Sequence, residues 1–176
     1  MTFTPDASFA QPERRLDSGL IGTIRSINLS SGGVPKKATS VAQVALLGMV
    51  GDAHNDTKGH GGPERAVCLY SLERIRDLQR EGHPIDVGTA GENLTVEGIN
   101  WDLVVPGARF RCGDEVELEV ASFTSPCKTI KASFSDERFK RISQVVNPGW
   151  SRVYARVLAE GKIRIGDRVS LVPAGA

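Results

Sequence analysis

The chain has 176 residues and a formal net charge of +1, with 22 Lys and Arg residues against 21 Asp and Glu residues. This length suits one domain that buries roughly 70% of its unfolded surface, so we expect no disulfide or structural metal to be needed for folding. The balanced charge argues against a general nucleic-acid-binding surface. The three cysteines include no Cys-x-x-Cys pair, which favours a reducing, cytoplasmic location over secretion.

Residues 1–18 are polar and lack the apolar core of a signal peptide. We therefore expect a flexible tail over residues 1–18 and a single domain over residues 19–174. No run in the chain approaches the ~20 apolar residues of a membrane-spanning helix, so no membrane association is expected.

Short alternating or wholly apolar segments recur along the chain and predict a series of β-strands. Two of these segments directly follow a Gly-Asp turn pair, as is typical of short strands joined by tight turns. The predicted strands cover residues 20–29, 41–50, 66–70, 92–96, 109–112, 116–120, 153–158 and 169–172.

Two segments have the pattern of a helix. Residues 71–81 begin with Ser71 as a possible N-cap, carry apolar residues on one face and end at Gly82. Residues 136–145 carry apolar residues at every third position, and Ser133 with Asp136 resembles a capping box. Many short strands with only two modest helices predict a mainly β fold, a closed and mostly antiparallel β-barrel with a few short helices outside it.

Cys127 lies in a segment that favours a reactive thiol. Ser125 offers a helix N-cap and Pro126 suits the first helical position. Cys127 would then lie in the first turn, where free N–H groups and the helix dipole favour a thiolate, and Lys128 adds a cation beside it. The alternative is a buried cysteine that acts as a small hydrophobic residue.

The loop over residues 51–65 is the densest polar segment, with two of the three histidines and four glycines. Loops of this length inside a compact domain are often functional. Gly61 and Gly62 allow the backbone to approach a ligand closely, and Arg65 is a bidentate donor for phosphate. The alternative is that the glycines only form a tight turn into the next strand.

The same loop contains a possible divalent-metal set with oxygen and nitrogen ligands. Its spacing matches no tight metal-binding rule, and its first member is as easily a turn residue. A second alternative pairs Cys127 with a histidine of the loop as nucleophile and base, which would make the protein a metal- or thiol-dependent hydrolase. The possible metal ligands are Asp52, His54, Asp56 and His60.

Further polar residues lie at turns and strand ends. Lys36 follows a proline in a turn, and Glu92 and Asn93 open a strand after a glycine. Each is unremarkable alone. Trp150 is interpreted as a core anchor in preference to a lid over a flat ligand.

In series, these segments resemble the MOSC family, named for the C-terminal domain of molybdenum-cofactor sulfurase. Each segment is weak alone, but the series is specific, follows the order of the family and spans about residues 20 to 172. The likeness is strongest to short stand-alone bacterial members, whose fold is a β-barrel with short helices. The resembling segments are residues 34–36, 51–52, 60–66, 91–95, 125–127 and 149–150.

The resemblance implies that Cys127 is the catalytic thiol, which either ligates molybdenum or carries sulfur as a persulfide. It also implies a molybdenum cofactor whose pterin phosphate needs cations and N–H donors. Relatives that act as enzymes reduce N-hydroxylated compounds such as hydroxylamino-purines and amidoximes. The residues expected to bind the cofactor are Lys36, Asp52, His60, Gly61, Gly62, Arg65, Glu92, Asn93 and Lys128.

Two functions of the implied family stay open beside the hydrolase. A molybdenum-dependent reductase would act on a small-molecule substrate and would need an external electron-donor protein, because the chain carries no redox domain. A non-catalytic sulfur or cofactor carrier would need a sulfur donor. Pyridoxal phosphate binding is a further family-level possibility.

Overall fold

The computed structural model describes residues 19–53 and 62–176. Within these ranges the chain forms short strands, one α-helix, α1 (Leu72–Arg80), and several 3-10 helices. The strands are β1 (Ile21–Leu29), β2 (Lys37–Thr39), β3 (Val41–Ala45), β4 (Gly48–Met49), β5 (Val67–Ser71), β6 (Leu94–Glu97), β7 (Arg109–Cys112), β8 (Val116–Phe123), β9 (Val153–Ala159), β10 (Gly161–Arg164) and β11 (Arg168–Val172). The 3-10 helices are Pro63–Arg65, Trp101–Leu103, Lys128–Ser133, Ser135–Glu137 and Phe139–Ile142.

Seven strands close into a barrel in the order β1-β11-β7-β8-β9-β5-β6, with β6 pairing back to β1. Neighbouring strands in the barrel are antiparallel except for the parallel pair β5 and β6. Strand β2 extends the sheet beside β1, and β3, β4 and β10 form a separate three-stranded sheet. The predicted mainly β, mostly antiparallel closed barrel is therefore confirmed.

Sequence alternation places the core inside the barrel. In β8, Val116, Leu118 and Val120 are buried, while the glutamates between them are half-exposed. Strand β5 is buried along its whole length, and α1 packs against β5 and β6 with a buried apolar face. The barrel interior and the layer under α1 thus form one continuous apolar core.

The prediction for residues 71–81 is confirmed. The Ser71 hydroxyl accepts a hydrogen bond from the N–H of Arg74 at 3.2 Å, which caps α1. Gly82 follows the helix with a φ of +90°, a left-handed conformation that favours glycine.

The predicted helix over residues 136–145 is wrong. The segment consists of short 3-10 turns, and Asp136 has a φ of 55° that breaks any continuous helix. Ser133 does not cap a helix, because its hydroxyl donates to the carbonyl of Thr89 at 3.0 Å. Apolar residues at every third position suit a 3-10 helix as well as an α-helix, since side chains at i and i+3 share a face in both.

Several strand boundaries also differ from the prediction. The apolar run over residues 41–50 is a hairpin of β3 and β4, with Leu46 and Leu47 exposed at its turn. Strands β2 and β10 were not predicted, because each is short and polar on its outer face. The expected tail over residues 1–18 lies outside the described residues, and it stays a prediction together with the domain boundaries. In the described part of the chain, no helix has the length and apolar character needed to span a membrane.

The packing of β1 against β6 predicts a sharp steric cost at Gly22. A Cβ atom at this position would lie 2.1 Å from the carbonyl oxygen of Glu97 and 3.0 Å from Ile99. We expect Gly22→Ala to lower the free energy of unfolding by about 1–3 kcal/mol, as overpacking typically does. Urea unfolding measures this loss, and an unchanged midpoint would show that β1 and β6 separate at little cost.

Candidate functional site

A buried polar network forms around the carboxylate of Asp52, just before the undescribed part of the loop. Asp52 accepts hydrogen bonds from the Lys36 ammonium, from the side-chain amide of Asn93 at 2.8 Å and from the N–H of Ser30 at 2.8 Å. Lys36 is only 8% exposed, so its charge is balanced inside the protein by Asp52. Three residues predicted from separate segments therefore meet in one cluster.

Asn93 ties this cluster to two strands of the barrel. Its side-chain oxygen accepts from the N–H of Cys68 on β5 at 3.0 Å, and its amide also donates to the carbonyl of Asn28 on β1 at 3.2 Å. Both ends of the amide are thereby satisfied, as a buried asparagine requires. Asn93 fixes the position of Asp52 relative to β1 and β5.

Glu92 is fully buried beside this network. One carboxylate oxygen accepts from the N–H of Gly88 at 2.6 Å and from the hydroxyl of Thr95 at 3.0 Å. The other oxygen has no hydrogen-bond partner among the described residues. Burial raises the pKa of Glu92, while the two hydrogen bonds act in the opposite direction.

Arg152 is a buried cation that the sequence interpretation missed. It is 6% exposed and donates to the carbonyl of Ala90, while its Nε has no partner in the described part of the chain. Its charge acts on Glu92, Cys68 and Tyr154, which places it among them. Nothing in the local sequence predicts this burial, because the carbonyl that Arg152 contacts is 62 residues away along the chain.

Tyr154 connects the buried network with the surface. It is paired with Cys68 across β5 and β9, so their side chains point to the same face. The guanidinium carbon of Arg65 lies 5.7 Å from the centre of the Tyr154 ring. Burial, with further contributions from Cys68 and Cys127, raises the pKa of Tyr154 to about 12. The phenol is therefore protonated at neutral pH.

Cys127 is half-buried, and its sulfur lies 2.7 Å from the hydroxyl oxygen of Thr129. The predicted placement in the first turn of an α-helix is wrong. Cys127 has an extended conformation with a φ of −126° and directly precedes the 3-10 helix Lys128–Ser133. Pro126 does not start a helix here, because a φ near −65° is compatible with extended backbone as well.

The remaining predicted site residues lie at the surface or outside the described residues. Gly62, Arg65 and Lys128 are exposed. His60 and Gly61 fall in the undescribed part of the loop, as do the possible metal ligands His54 and Asp56. Within residues 19–53 and 62–176, no group of three His, Cys, Asp or Glu side chains is arranged to hold a metal.

Trp150 supports the packing interpretation. Its ring lies against the core, 3.6 Å from the guanidinium carbon of Arg141 and 4.7 Å from that of Arg74. Contacts of this kind stabilise an aromatic ring beside cations.

The chain belongs to the MOSC domain family, whose domain matches residues 56–170. It is 37% identical over 133 residues to a protein of Gibberella moniliformis named "Reductase", which covers 73% of this chain and 23% of that protein. It is 30% identical over 148 residues to the uncharacterized protein YflK of Bacillus subtilis, a match that covers 84% of this chain and 66% of that protein. It is 30% identical over 131 residues to YiiM of Escherichia coli, a match that covers 72% of this chain and 57% of that protein. The chain thus spans only part of the length of each relative.

Solved structures agree with this assignment. YiiM from Geobacillus stearothermophilus superposes with a TM-score of 0.65 at 25% identity, covering 86% of this chain and 75% of that one. YuaD from Bacillus subtilis has a TM-score of 0.67 at 16% identity, covering 86% and 96%, and shows the shared fold. The predicted family is confirmed.

The Asp52 network predicts a large stability effect. Asp52→Ala leaves the Lys36 ammonium buried without its counter-ion, which we expect to lower the free energy of unfolding by about 3–5 kcal/mol. The double variant with Lys36→Met removes that buried charge and should recover part of the loss. Urea unfolding of the wild type, the two single variants and the double variant gives the coupling energy between Asp52 and Lys36. Additive losses would contradict a direct interaction between the two side chains.

The burial of the three cysteines predicts a selective reaction at Cys127. Burial raises the pKa of Cys68 to about 11 and that of Cys112 to about 12, so both remain thiols at mildly alkaline pH. Iodoacetamide at about pH 8 should therefore modify Cys127 alone, because a thiolate is the reacting species. Peptide mapping by mass spectrometry identifies the site. Equal modification of Cys68 in the folded protein would contradict the described burial.

Proposed function

We propose that this MOSC protein binds molybdenum cofactor and reduces N-hydroxylated compounds of the hydroxylamino-purine or amidoxime type. The observation that carries the proposal is the position of Cys127. Of the three cysteines, Cys127 has a thiol that is not buried, and the guanidinium carbon of the exposed Arg65 lies 5.7 Å from the centre of the Tyr154 ring. We infer that this thiol, the cation and the neutral tyrosine hydroxyl belong to one site.

The residues present fit a molybdenum cofactor. A thiolate from Cys127 is a soft ligand suited to such a metal, and the exposed Arg65 offers paired N–H donors suited to a phosphate. Lys36 fits a phosphate less well than the sequence suggested, because its ammonium is buried against Asp52. We assign Lys36 the role of holding Asp52 and the start of the loop.

When bound, the molybdenum centre would supply a two-electron reduction at an open coordination position. Overall, R–NHOH takes up two electrons and two protons and gives R–NH2 and water, so the reaction needs a source of two electrons. Arg65 would bind and orient the cofactor through its phosphate. Tyr154, protonated at neutral pH, would hold a proton at its hydroxyl oxygen.

The comparison with the Gibberella protein supports a reductase. That protein is named "Reductase", and its matching region covers 73% of this chain but 23% of its own length. A MOSC domain can thus form part of a longer reductase. For this chain we propose that the electrons come from a separate protein.

A sulfur carrier is the second candidate. The half-exposed Cys127 sulfur lies 2.7 Å from the Thr129 hydroxyl, which can donate a hydrogen bond to a terminal sulfur anion. The transfer would move a sulfane sulfur from a donor persulfide to the Cys127 thiolate and release the donor as a thiolate. This function needs a sulfur-donor protein but no metal. The hydrolase, pyridoxal phosphate binding and the cytoplasmic location stay predictions.

The reductase proposal predicts bound molybdenum that depends on Cys127. Protein purified from a host that makes molybdenum cofactor should contain molybdenum and pterin in equal amounts, measured by mass spectrometry and by pterin fluorescence. Cys127→Ala should lose the metal, because alanine cannot ligate it. Cys112→Ala is the matched control, since that thiol is buried in the core and should leave the metal content unchanged.

The activity assay then uses a hydroxylamino-purine and an added electron donor, and turnover should vanish with Cys127→Ala. Labile sulfur on Cys127 without molybdenum would favour the carrier. A bound zinc ion in an active Cys127→Ala protein would contradict both and support the hydrolase.

A further inference from the structure

Glu92 and Arg152 are buried side chains of opposite charge that are close to each other but not bonded. The guanidinium of Arg152 donates through Nη1 to the carbonyl of Ala90, two residues before Glu92. A Cβ atom on Gly91, between these two residues, would lie 3.7 Å from the same nitrogen. Within the described ranges, however, no hydrogen bond or ion pair joins Glu92 to Arg152. The two charges are therefore neighbours without being a bonded pair.

Each of these side chains keeps one polar atom without a partner. Oε2 of Glu92 and Nε of Arg152 are both buried, and neither has a hydrogen-bond partner among the described residues. The buried hydroxyl of Thr124 is a third such group. The N–H of Thr124 donates to the carbonyl of Arg152 at 3.0 Å, so the two residues continue the pairing of β8 with β9 and their side chains share a face. Buried polar atoms are nearly always paired, and this cluster lacks partners that a bound group would supply.

The missing partners define the chemistry of such a group. Oε2 of the Glu92 carboxylate needs a hydrogen-bond donor, and Nε of Arg152 needs an acceptor. A ligand that carries a donor beside an acceptor meets both needs, as the amino group and the adjacent ring nitrogen of an aminopyrimidine do. An inorganic anion meets only one of them, because it offers no donor to Glu92 and is repelled by its carboxylate.

The cluster lies on the same face of the sheet as the tyrosine that Arg65 contacts. Arg152 directly precedes β9, and Tyr154 is two residues further along, so their side chains project from one face about 7 Å apart. The guanidinium carbon of the exposed Arg65 lies 5.7 Å from the centre of the Tyr154 ring. This face thus leads from an exposed arginine, past a half-buried tyrosine, to a buried arginine and a buried carboxylate.

We propose that Glu92 and Arg152 recognise the aminopyrimidine edge of the pterin, while the phosphate at the other end of the cofactor binds Arg65. The inference rests on the proposed molybdenum cofactor and gives the orientation in which it binds. Glu92 accepts a hydrogen bond from the amino group of the ring, and Arg152 and Thr124 donate to its acceptor atoms. Because Glu92 is fully buried, binding requires a shift of the turn that carries it, over residues 88–92.

The test measures binding of two flat ring probes to cofactor-free protein by isothermal titration calorimetry, so that it does not depend on molybdenum. Pterin carries the aminopyrimidine edge, whereas quinoxaline has acceptor nitrogens but no N–H donor. The wild type should bind pterin at least about tenfold more tightly than quinoxaline, because quinoxaline leaves the Glu92 carboxylate unpaired. Glu92→Gln should reduce this preference to about threefold or less, since the neutral amide can donate as well as accept.

A second variant tests the other charge. Arg152→Lys keeps a buried cation but loses the planar set of donors, so it should weaken the binding of both probes by at least about fivefold. Both probes lose affinity because both carry acceptor nitrogens. Circular dichroism checks the folding of each variant, and Arg152→Lys decides alone if Glu92→Gln does not fold.

The matched control is Glu97→Gln, which makes the same chemical change at a carboxylate paired with Arg25 and Arg76. It should alter the preference for pterin by less than about twofold, because surface ion pairs contribute little. Absence of pterin binding, or a preference that survives Glu92→Gln, overturns the assignment, as does an unchanged affinity in Arg152→Lys. Tighter binding of guanine than of pterin overturns it as well, because the pair would then recognise a purine substrate.

Molybdenum content is measured separately, so the two proposals fail in different ways. Protein that binds pterin with the expected preference but contains no molybdenum refutes the reductase and leaves the ring site. Protein that contains molybdenum while Glu92→Gln keeps the wild-type preference refutes the ring site alone.

Discussion

The buried pairing of Lys36 with Asp52 is the constraint on which the site depends. A charge in the protein interior is tolerated only when an opposite charge and hydrogen bonds satisfy it. The Asp52 carboxylate therefore collects the Lys36 ammonium, the Asn93 amide and the N–H of Ser30 at one point. These donors come from three separate segments, so one carboxylate fixes the start of the polar loop against two strands of the barrel.

The barrel register extends this constraint to the surface. The pairing of Cys68 with Tyr154 places both side chains on one face of the sheet, and Arg65 lies against the tyrosine ring. Arg152 lies directly before β9, in the same buried region. Burial keeps Tyr154 neutral, while Cys127 lies at the edge of the barrel where its sulfur can be reached. The fold thus buries the thiols of Cys68 and Cys112 and leaves that of Cys127 accessible.

The sequence predicted what local patterns determine. The alternation of apolar and polar residues predicted the strands of the barrel, and the N-cap at Ser71 predicted α1. The helix over residues 136–145 failed because a period of three also suits 3-10 turns, and the pairings between distant strands are not encoded locally. For the same reason the motifs identified Asp52 but not Arg152, whose burial depends on segments distant in sequence. The roles of the site residues stay predictions, and those between residues 54 and 61 lie outside the described structure.

The buried Asp52 network and the segment after Cys127 should differ in how well they tolerate substitution. Residues of the Asp52 network are held by partners on several strands, so a change at one residue leaves a buried polar group unsatisfied. The segment after Cys127 is held by the buried side chains Ile130, Phe134 and Ile142 and by hydrogen bonds to Gly82 and Glu81. The outward side chains Lys131 and Lys140 are not required for that attachment. Substitutions at exposed positions of this segment should therefore be tolerated better than substitutions in the Asp52 network.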